Sequence, residues 1–175
     1  MNRLSVIMSR LSVILSPDKI GTKNLYYWLA LLIVLTDQIT KFIVRKNLIL
    51  VDSIYVLPFF YITHIENTGI AFGMFQGNNL LFIIVSLIII AFIFTNRKQI
   101  ISCGNNLTKI SILLILCGAI GNLIDRVVRG KITDFLDFGI SYQRFPAFNV
   151  ADSCITIGGI LLCISFLTAR KLGTP

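Results

Sequence analysis

Five aspartates are the side chains in this sequence best placed to do chemistry: Asp37, Asp125, Asp134, Asp137 and Asp152. Each falls near the end of a long apolar run or just beyond it. Two carboxyl groups held together cannot both ionise cheaply, so one keeps its proton while the other acts as a base toward water. That is the chemistry of an aspartic protease, which needs neither a metal nor a histidine.

Other groups that carry chemistry are few. His64 is the only histidine, which argues against a Ser-His-Asp triad and against a metal centre with histidine ligands. The four cysteines show no CxxC spacing, and three of them lie in apolar runs, where Cys behaves as a small hydrophobe. We therefore predict no metal site, no disulfide framework and no cofactor.

A different class of function remains open, because acidic residues inside membrane segments also serve ion pathways. A small proton-coupled membrane transporter or a scaffold is the alternative, and a structural subunit of a larger complex is a third possibility. A pathway predicts acids at mid-bilayer depth, whereas the second and fourth apolar runs have none at their centres. The protease interpretation is favoured on that ground.

The stretch from Gly121 to Phe138 begins inside an apolar run and leaves it carrying three carboxylates and three basic groups. A helix here places four polar side chains on one face, at i, i+3, i+4 and i+7: Asn122, Asp125, Arg126 and Arg129. Such a stripe has to face protein or trapped water. For Arg126, an ion pair with Asp125 or Asp137 competes with a role in holding a carbonyl or carboxylate.

Two further patterns place acids on helices. Asp37 and Lys41 are four residues apart and are predicted to pair along one helical face. Asn149 is a natural N-cap, which puts Asp152 at the third helical position, where the helix dipole favours a carboxylate. The alternative to a catalytic role for Asp152 is therefore a purely structural one, in which it only caps the helix.

The composition indicates a membrane protein, since 55% of the residues are hydrophobic and the mean hydropathy is +0.84. Four apolar runs predict transmembrane helices at about residues 25–44, 77–95, 109–128 and 151–169. The predicted fold is an all-α membrane protein with four transmembrane helices and a small extracytoplasmic β platform. Residues 25–169 are then one four-span peptidase domain.

The β platform is predicted for residues 45–76. Residues 51–63 are rich in Val, Ile, Tyr and Phe, and Pro58 interrupts them, which indicates short strands. A turn signal, Glu66-Asn67-Thr68-Gly69, follows. Residues 139–146 form a second short polar and aromatic excursion.

The tails are predicted to be cytoplasmic. Residues 1–24 read as a basic N-terminal tail in which residues 3–9 are nearly repeated at 10–16, and residues 170–175 form the C-terminal tail. A signal peptide is the alternative for the first segment, but no small-x-small cleavage site follows it. Pro17 and Gly21 are expected to break the chain before the first span.

Charge sets the predicted orientation. The termini and the 96–109 loop hold 9 of the 16 Lys and Arg residues and one of the eight acids, which favours a cytoplasmic side. Seven acids therefore gather at the opposite face, which indicates a site there. The net charge of +8 is scattered between apolar runs rather than clustered with aromatics, so we predict no nucleic-acid partner.

Five blocks of the sequence resemble the lipoprotein signal peptidase family, the type II signal peptidases of bacteria. They are Asp-Gln-Ile-Thr-Lys at 37–41, Asn-Thr-Gly-Ile-Ala-Phe-Gly at 67–73, Gly-Asn-Leu-Ile-Asp-Arg at 121–126, Thr-Asp-Phe-Leu-Asp-Phe at 133–138 and Phe-Asn-Val-Ala-Asp at 148–152. The blocks occur in the family's order and spacing, and residues 1–24 lie outside the resemblance. Thr133 stands where the family often has Val.

The resemblance implies a membrane aspartic endopeptidase that removes the signal peptide from diacylglyceryl-modified prolipoproteins, cutting before the lipidated cysteine. It implies Asp134 and Asp152 as the catalytic pair. Residues that bind substrate or support the site are implied at Asp37, Lys41, Asn67, Gly69, Asn122, Asp125, Arg126, Asp137 and Asn149. The implied location is the bacterial inner membrane, with the active site at the periplasmic face and the lipid bilayer and prolipoprotein as partners.

Overall fold

A computed structural model of the chain describes residues 17–69, 75–103, 105–140 and 143–171. The elements in chain order are α1 (Pro17–Asn47), β1 (Ser53–Leu57), β2 (Phe60–Asn67), α2 (Asn79–Thr95), α3 (Arg97–Cys103), α4 (Asn106–Arg129), β3 (Ile132–Ile140), β4 (Gln143–Arg144) and α5 (Val150–Lys171). The near-repeat at residues 3–16 lies outside the described residues.

Within the described chain, three helices are long and apolar enough to cross a membrane, over Asn24–Asn47, Asn106–Arg129 and Val150–Thr168. Helix α2 is apolar but shorter, at 17 residues. A 17-residue helix is about 25 Å long, slightly less than the hydrocarbon core of a bilayer. The four helices coincide with the four predicted apolar runs, and three of them have the length and hydropathy of a membrane span.

The expected break before the first span was wrong. Helix α1 begins at Pro17 and continues through Gly21, so the end of the predicted N-terminal tail is helical. Proline is well tolerated in the first turn of a helix, because its missing N–H has no intrahelical partner there.

Helix α4 is the central helix, and α1, α2 and α5 all pack against it. Its closest neighbour is α5, and the two approach where glycines remove side chains. A Cβ at Gly158 of α5 would lie 2.7 Å from the Ser111 carbonyl oxygen and 2.8 Å from Ile115 Cγ1 of α4. Small residues of this kind let membrane helices pack closely.

Two adjacent glycines on α5 provide a matched test of this contact. We expect Gly158→Ala to destabilise the protein by about 1–3 kcal/mol, because the added methyl forces α4 and α5 apart. Gly159→Ala should cost nothing, since a Cβ at Gly159 meets no atom within 4 Å. Thermal unfolding in detergent measures both variants. Equal transition temperatures for the two would contradict the close approach.

The strands form one antiparallel sheet in the order β1-β2-β3-β4. Among the described residues of the predicted β segment at 45–76 are the first two strands, and the sheet is completed by β3 and β4 from beyond α4. Gly130, with φ of 74°, ends α4 in a left-handed conformation and turns the chain into β3. The sheet thus forms directly at the end of the central helix.

The sheet is attached to the helices by a small apolar core of Val44, Leu48 and Phe135, against which Ile62, Leu136 and Val150 pack. Elsewhere the burial pattern is the reverse of that in a water-soluble protein. The largest fully buried side chains are polar or charged: Lys41, Asn149, Thr133, Asp37, Asp125 and Ser111. Large apolar side chains are exposed along the helices, as lipid contact requires.

Candidate active site

Asp134 and Asp152, which we call the dyad, line one cavity of about 630 Å³. Asp134 comes from β3 and Asp152 from the first turn of α5. The Asp134 carboxyl is almost fully buried, with 2% of the residue exposed. The structure therefore brings together the two acids that lie 18 positions apart in the sequence.

Each of the four carboxyl oxygens of the dyad accepts a hydrogen bond from an asparagine. Asn67 Nδ2 donates to Asp134 Oδ2 at 2.9 Å, and Asn149 Nδ2 donates to Asp134 Oδ1 at 2.7 Å. Asn122 Nδ2 donates to Asp152 Oδ1 at 2.7 Å, and the Asn149 backbone N–H donates to Asp152 Oδ2 at 3.2 Å. Asn149 thus contacts both acids and fixes them relative to each other.

The cap predicted at Asn149 is present, and it does not remove the Asp152 carboxyl from the cavity. Asn149 precedes α5, and its side-chain Oδ1 accepts from the Asp152 N–H at 2.9 Å. The Asp152 carboxyl returns the bond to the Asn149 N–H, so the pair forms a reciprocal cap. The same carboxyl lines the cavity. The cap therefore orients the acid that faces the cavity.

Burial and the neighbouring charge of Asp152 raise the pKa of Asp134 to about 7. The hydrogen bonds from Asn67 and Asn149 act in the opposite direction and are outweighed. A carboxyl with such a pKa holds a proton through much of the neutral range. This is the property expected of one member of an acid–base pair.

A buried ion cluster lies beneath the dyad, centred on Lys41. Its Nζ lies 2.8 Å from Asp37 Oδ2 and 3.2 Å from Asp125 Oδ2, and it donates to Asn122 Oδ1 at 3.0 Å. The predicted Asp37–Lys41 pair is confirmed. Because Asn122 also donates to Asp152, Lys41 fixes the orientation of an amide that contacts the dyad.

Both carboxylates of this cluster hold the backbone next to a dyad residue. Asp37 Oδ1 accepts from the N–H of Ala151 at 2.9 Å, and Asp125 Oδ2 accepts from the N–H of Thr133 at 3.3 Å. Gly121 is required here, since a Cβ would lie 2.6 Å from Asp37 Oδ2. The cluster therefore positions the two acids through the main chain.

Arg126 lines the cavity, and of the two roles considered for it the ion pair with Asp125 or Asp137 is not formed, whereas a carbonyl contact is. Its Nη2 donates to the Gly69 carbonyl oxygen at 2.7 Å, and its guanidinium lies 4.5 Å from the centre of the Phe82 ring. It thereby holds the turn that follows Asn67. The partners of Arg126 are distant in sequence, so spacing alone did not decide between the two roles.

The predicted site residues thus fall into groups. The cavity wall includes Asn67, Gly69, Asn122, Arg126, Asp134 and Asp152, with Asn149 between the acids and with Asp37, Lys41 and Asp125 beneath them. Asp137 is not brought to the cavity. Its carboxyl pairs with Arg144 Nε at 2.9 Å and accepts from Thr63 Oγ1 at 3.1 Å.

Sequence reasoning missed Asn79 and the aromatic walls of the cavity. Asn79 and Arg126 contact each other twice, through Arg126 Nη1 to Asn79 Oδ1 at 3.3 Å and Asn79 Nδ2 to the Arg126 carbonyl at 3.0 Å. In the sequence Asn79 looks like a helix cap before an apolar run. Phe82, Phe145 and Phe148 line the cavity.

Within the described residues, no group of three or more His, Cys, Asp or Glu side chains is arranged to hold a metal ion.

Comparison with known proteins gives a consistent result. Residues 29–168 match the model of the family described as signal peptidase (SPase) II. The lipoprotein signal peptidase of Bacillus subtilis (strain 168) is 41% identical over 145 residues, covering 82% of this chain and 93% of that protein. That of Bacillus pumilus (strain SAFR-032) is 40% identical over 148 residues, covering 83% of this chain and 94% of that protein.

Solved structures agree with the sequence relatives. A bacterial membrane enzyme structure obtained by the in meso method at 2.3 Å resolution superposes with a TM-score of 0.77 at 37% identity, covering 88% of this chain and 92% of that one. A second, at 1.9 Å resolution, gives a TM-score of 0.71 at 39% identity, with 85% and 94% covered. The residues that match the family model, 29–168, include both acids of the dyad.

Proposed function

The chain belongs to the signal peptidase II family of bacterial membrane peptidases, which remove signal peptides from lipoproteins, and from that premise we propose that Asp134 and Asp152 are its catalytic residues. The observation that carries the proposal is that asparagines hold all four carboxyl oxygens of the two acids at one cavity. The raised pKa of Asp134 supports it.

The proposed mechanism is direct attack by water. The dyad shares one proton near neutral pH, because two adjacent buried carboxyls do not both ionise. The ionised carboxyl takes a proton from a water molecule while the oxygen of that water bonds to the scissile carbonyl carbon. The protonated carboxyl donates to the carbonyl oxygen, giving a tetrahedral diol. The carboxyl that took the proton from water then gives it to the amide nitrogen, while the other, now ionised, carboxyl removes a proton from one hydroxyl of the diol, so that the C–N bond breaks to give a carboxylic acid and an amine.

The substrate is proposed to be a diacylglyceryl-modified prolipoprotein, cut just before its lipidated cysteine. The cavity wall formed by Phe82, Val85 and Ile89 is apolar and lies along α2, so it suits a hydrophobic signal segment. Near the dyad, Asn and Arg donors replace the water that a peptide backbone would lose there. The lipid chains need no closed pocket if they remain in the bilayer between helices.

The proposed topology has four spans with α2 as the short one, both termini in the cytoplasm and the dyad at the periplasmic face. Residues 25–169 form the peptidase domain in this arrangement. The dyad lies where the sheet meets the helix ends, at the start of α5 and just beyond α4. That position argues against the alternative of a proton-coupled transporter, which needs acids at mid-bilayer depth.

The test uses purified protein in detergent with a diacylglyceryl-modified prolipoprotein and EDTA. We expect cleavage without any ion gradient, seen as a gel shift on loss of the signal peptide. The same prolipoprotein without its diacylglyceryl group is the matched control and should remain uncut. An inactive protein, or activity abolished by EDTA, would overturn the proposal.

The pH dependence follows from the pKa of Asp134. The reaction needs one protonated and one ionised carboxyl, and the protonated fraction of Asp134 falls as the pH rises through about 7. We therefore expect kcat/KM to fall about tenfold per pH unit well above 7. Circular dichroism at each pH shows whether the fold persists. An activity that stays flat from pH 6 to 9 would be incompatible with this assignment.

A further inference from the structure

The face of the sheet turned away from the cavity carries basic side chains that the proposed reaction does not use. Asn67 pairs with Ile132 across β2 and β3, and both line the cavity. The next pair, Glu66 with Thr133, projects to the opposite face, because neighbouring residues of a strand alternate. Arg45, Arg129 and Lys131 contact this second pair, and we call them the cationic cluster.

Two guanidinium groups of the cluster converge on one neutral oxygen. Arg45 Nη1 donates to Thr133 Oγ1 at 3.1 Å, and Arg129 Nη1 donates to the same oxygen at 2.8 Å. Like charges do not approach each other in this way without a gain, and a hydroxyl supplies no negative charge. The two guanidinium groups therefore meet at an acceptor that does not offset their charge.

The carboxylates nearby do not neutralise the cluster. Glu66 is shared between Arg129, at 2.9 Å, and Lys131. Asp125 lies 3.8 Å from Arg45 and, together with Asp37, also contacts Lys41, so with Lys41 included four basic groups face three carboxylates. The cluster therefore carries an excess of positive charge.

Unused donors remain on both arginines within the described part of the chain. Arg45 makes its hydrogen bond and its ion contact through Nη1, which leaves Nε and Nη2. Arg129 uses Nη1 and Nη2, which leaves Nε. The two side chains are 19% and 25% exposed, so their donors are partly desolvated yet reachable. Guanidinium groups in this state match the geometry of a phosphate.

The location indicates what kind of molecule carries the phosphate. Arg45 lies in the last turn of α1 and Arg129 is the last residue of α4, so both lie at the ends of candidate membrane spans, at headgroup level. Phe42, one turn before Arg45, is 56% exposed, and Val128 is 75% exposed. These side chains offer an apolar surface for acyl chains beside the cluster.

We propose that the cationic cluster binds the phosphate group of an anionic phospholipid, whose acyl chains lie along the exposed apolar side chains of α1 and α4. The site is separate from the dyad cavity and goes beyond the proposed peptidase function, since a diacylglyceryl group carries no phosphate. A lipid with a net negative headgroup is preferred over a zwitterionic one, because the positive choline of the latter is repelled by the cluster.

Native mass spectrometry of the full chain in detergent tests the proposal, with phosphatidylglycerol or phosphatidylcholine added at equal concentration. We expect more phosphatidylglycerol to be retained. Arg45→Gln should weaken that binding about fivefold, the effect of one basic group near an anionic lipid. Arg45→Lys keeps the charge but not the planar guanidinium donors, so it should restore only part of the binding. Lys98→Gln removes the same charge from the opposite end of the helices and should change the binding little.

Three results would overturn the proposal. One is equal retention of the two lipids, and another is an Arg45→Gln variant that binds phosphatidylglycerol as tightly as the parent. The third is competition by inorganic phosphate at the lipid's own concentration, which would assign the cluster to a free anion. Unfolding temperatures measured in phosphatidylcholine micelles show whether Arg45→Gln is folded, and Lys131→Gln then provides a second variant of the same cluster.

Discussion

Asparagine in place of either Asp134 or Asp152 should lower kcat for prolipoprotein cleavage about 10⁴-fold. Asparagine has the shape of aspartate but neither accepts a proton from water nor donates one to the scissile carbonyl oxygen. KM should change far less, because the cavity walls that contact substrate remain. Single-turnover cleavage in detergent separates the two effects.

The double variant sharpens this prediction. In the proposed mechanism the two acids share one proton and act on one water, so losing both should cost little more than losing either. Asp52→Asn is the matched control, since Asp52 lies in the turn between α1 and β1 and is exposed. It should retain activity within a few-fold. Losses that multiply in the double variant, or a single variant that still cleaves at the parent's rate, would refute the dyad.

The largest effect on stability is expected for Lys41→Met. The substitution keeps most of the side-chain volume but leaves the buried carboxylate of Asp37 without its counter-charge and that of Asp125 with only the 3.8 Å contact to Arg45. Removing one partner of a buried ion pair typically costs about 3–5 kcal/mol. Unfolding in detergent, followed by circular dichroism, measures the loss. Activity should fall as well, because Asn122 loses the donor that orients it toward Asp152.

A second lysine makes the comparison quantitative. Lys131 pairs with Glu66 but is 37% exposed, so Lys131→Met should cost less than about 1 kcal/mol. Adding Asp37→Asn to Lys41→Met should recover part of the stability, since it removes the negative charge of a buried carboxylate that has lost its partner. If both lysine variants unfold at the same temperature, or if the added substitution lowers stability further, the ion cluster is not what holds this region together.

Local spacing was sufficient to predict several parts of the site. The Asp37–Lys41 pair follows from a separation of four residues on a helix, and the Asn149 cap follows from its position before an apolar run. The helical stripe of Asn122 and Asp125 is also local. Each of these features depends on residues within one or two turns, where helix geometry fixes which side chains meet.

Strand β3 could not be predicted in this way. A half-buried strand alternates apolar and polar residues, but both faces of β3 carry polar and apolar side chains. Asp134 faces the cavity and Thr133 faces the cationic cluster, so the usual period of two is obscured. The contacts of Arg126 with Gly69 and Asn79 were equally hidden, since they span 57 and 47 residues. Such contacts follow from helix packing rather than from spacing.

Because the buried side chains of this protein are mostly polar, its stability depends on the same hydrogen bonds that orient the dyad. Lipid tails are as apolar as leucine, so burying apolar surface does not draw the helices together, and tight packing and hydrogen bonds between helices must do so. Here many of those bonds belong to the asparagines, the dyad and Lys41. A water-soluble enzyme can lose its catalytic groups and keep its core. In this enzyme the same bonds serve both purposes, so variants of Asn122 or Asn149 should release the helices in SDS at lower concentrations while each helix stays intact.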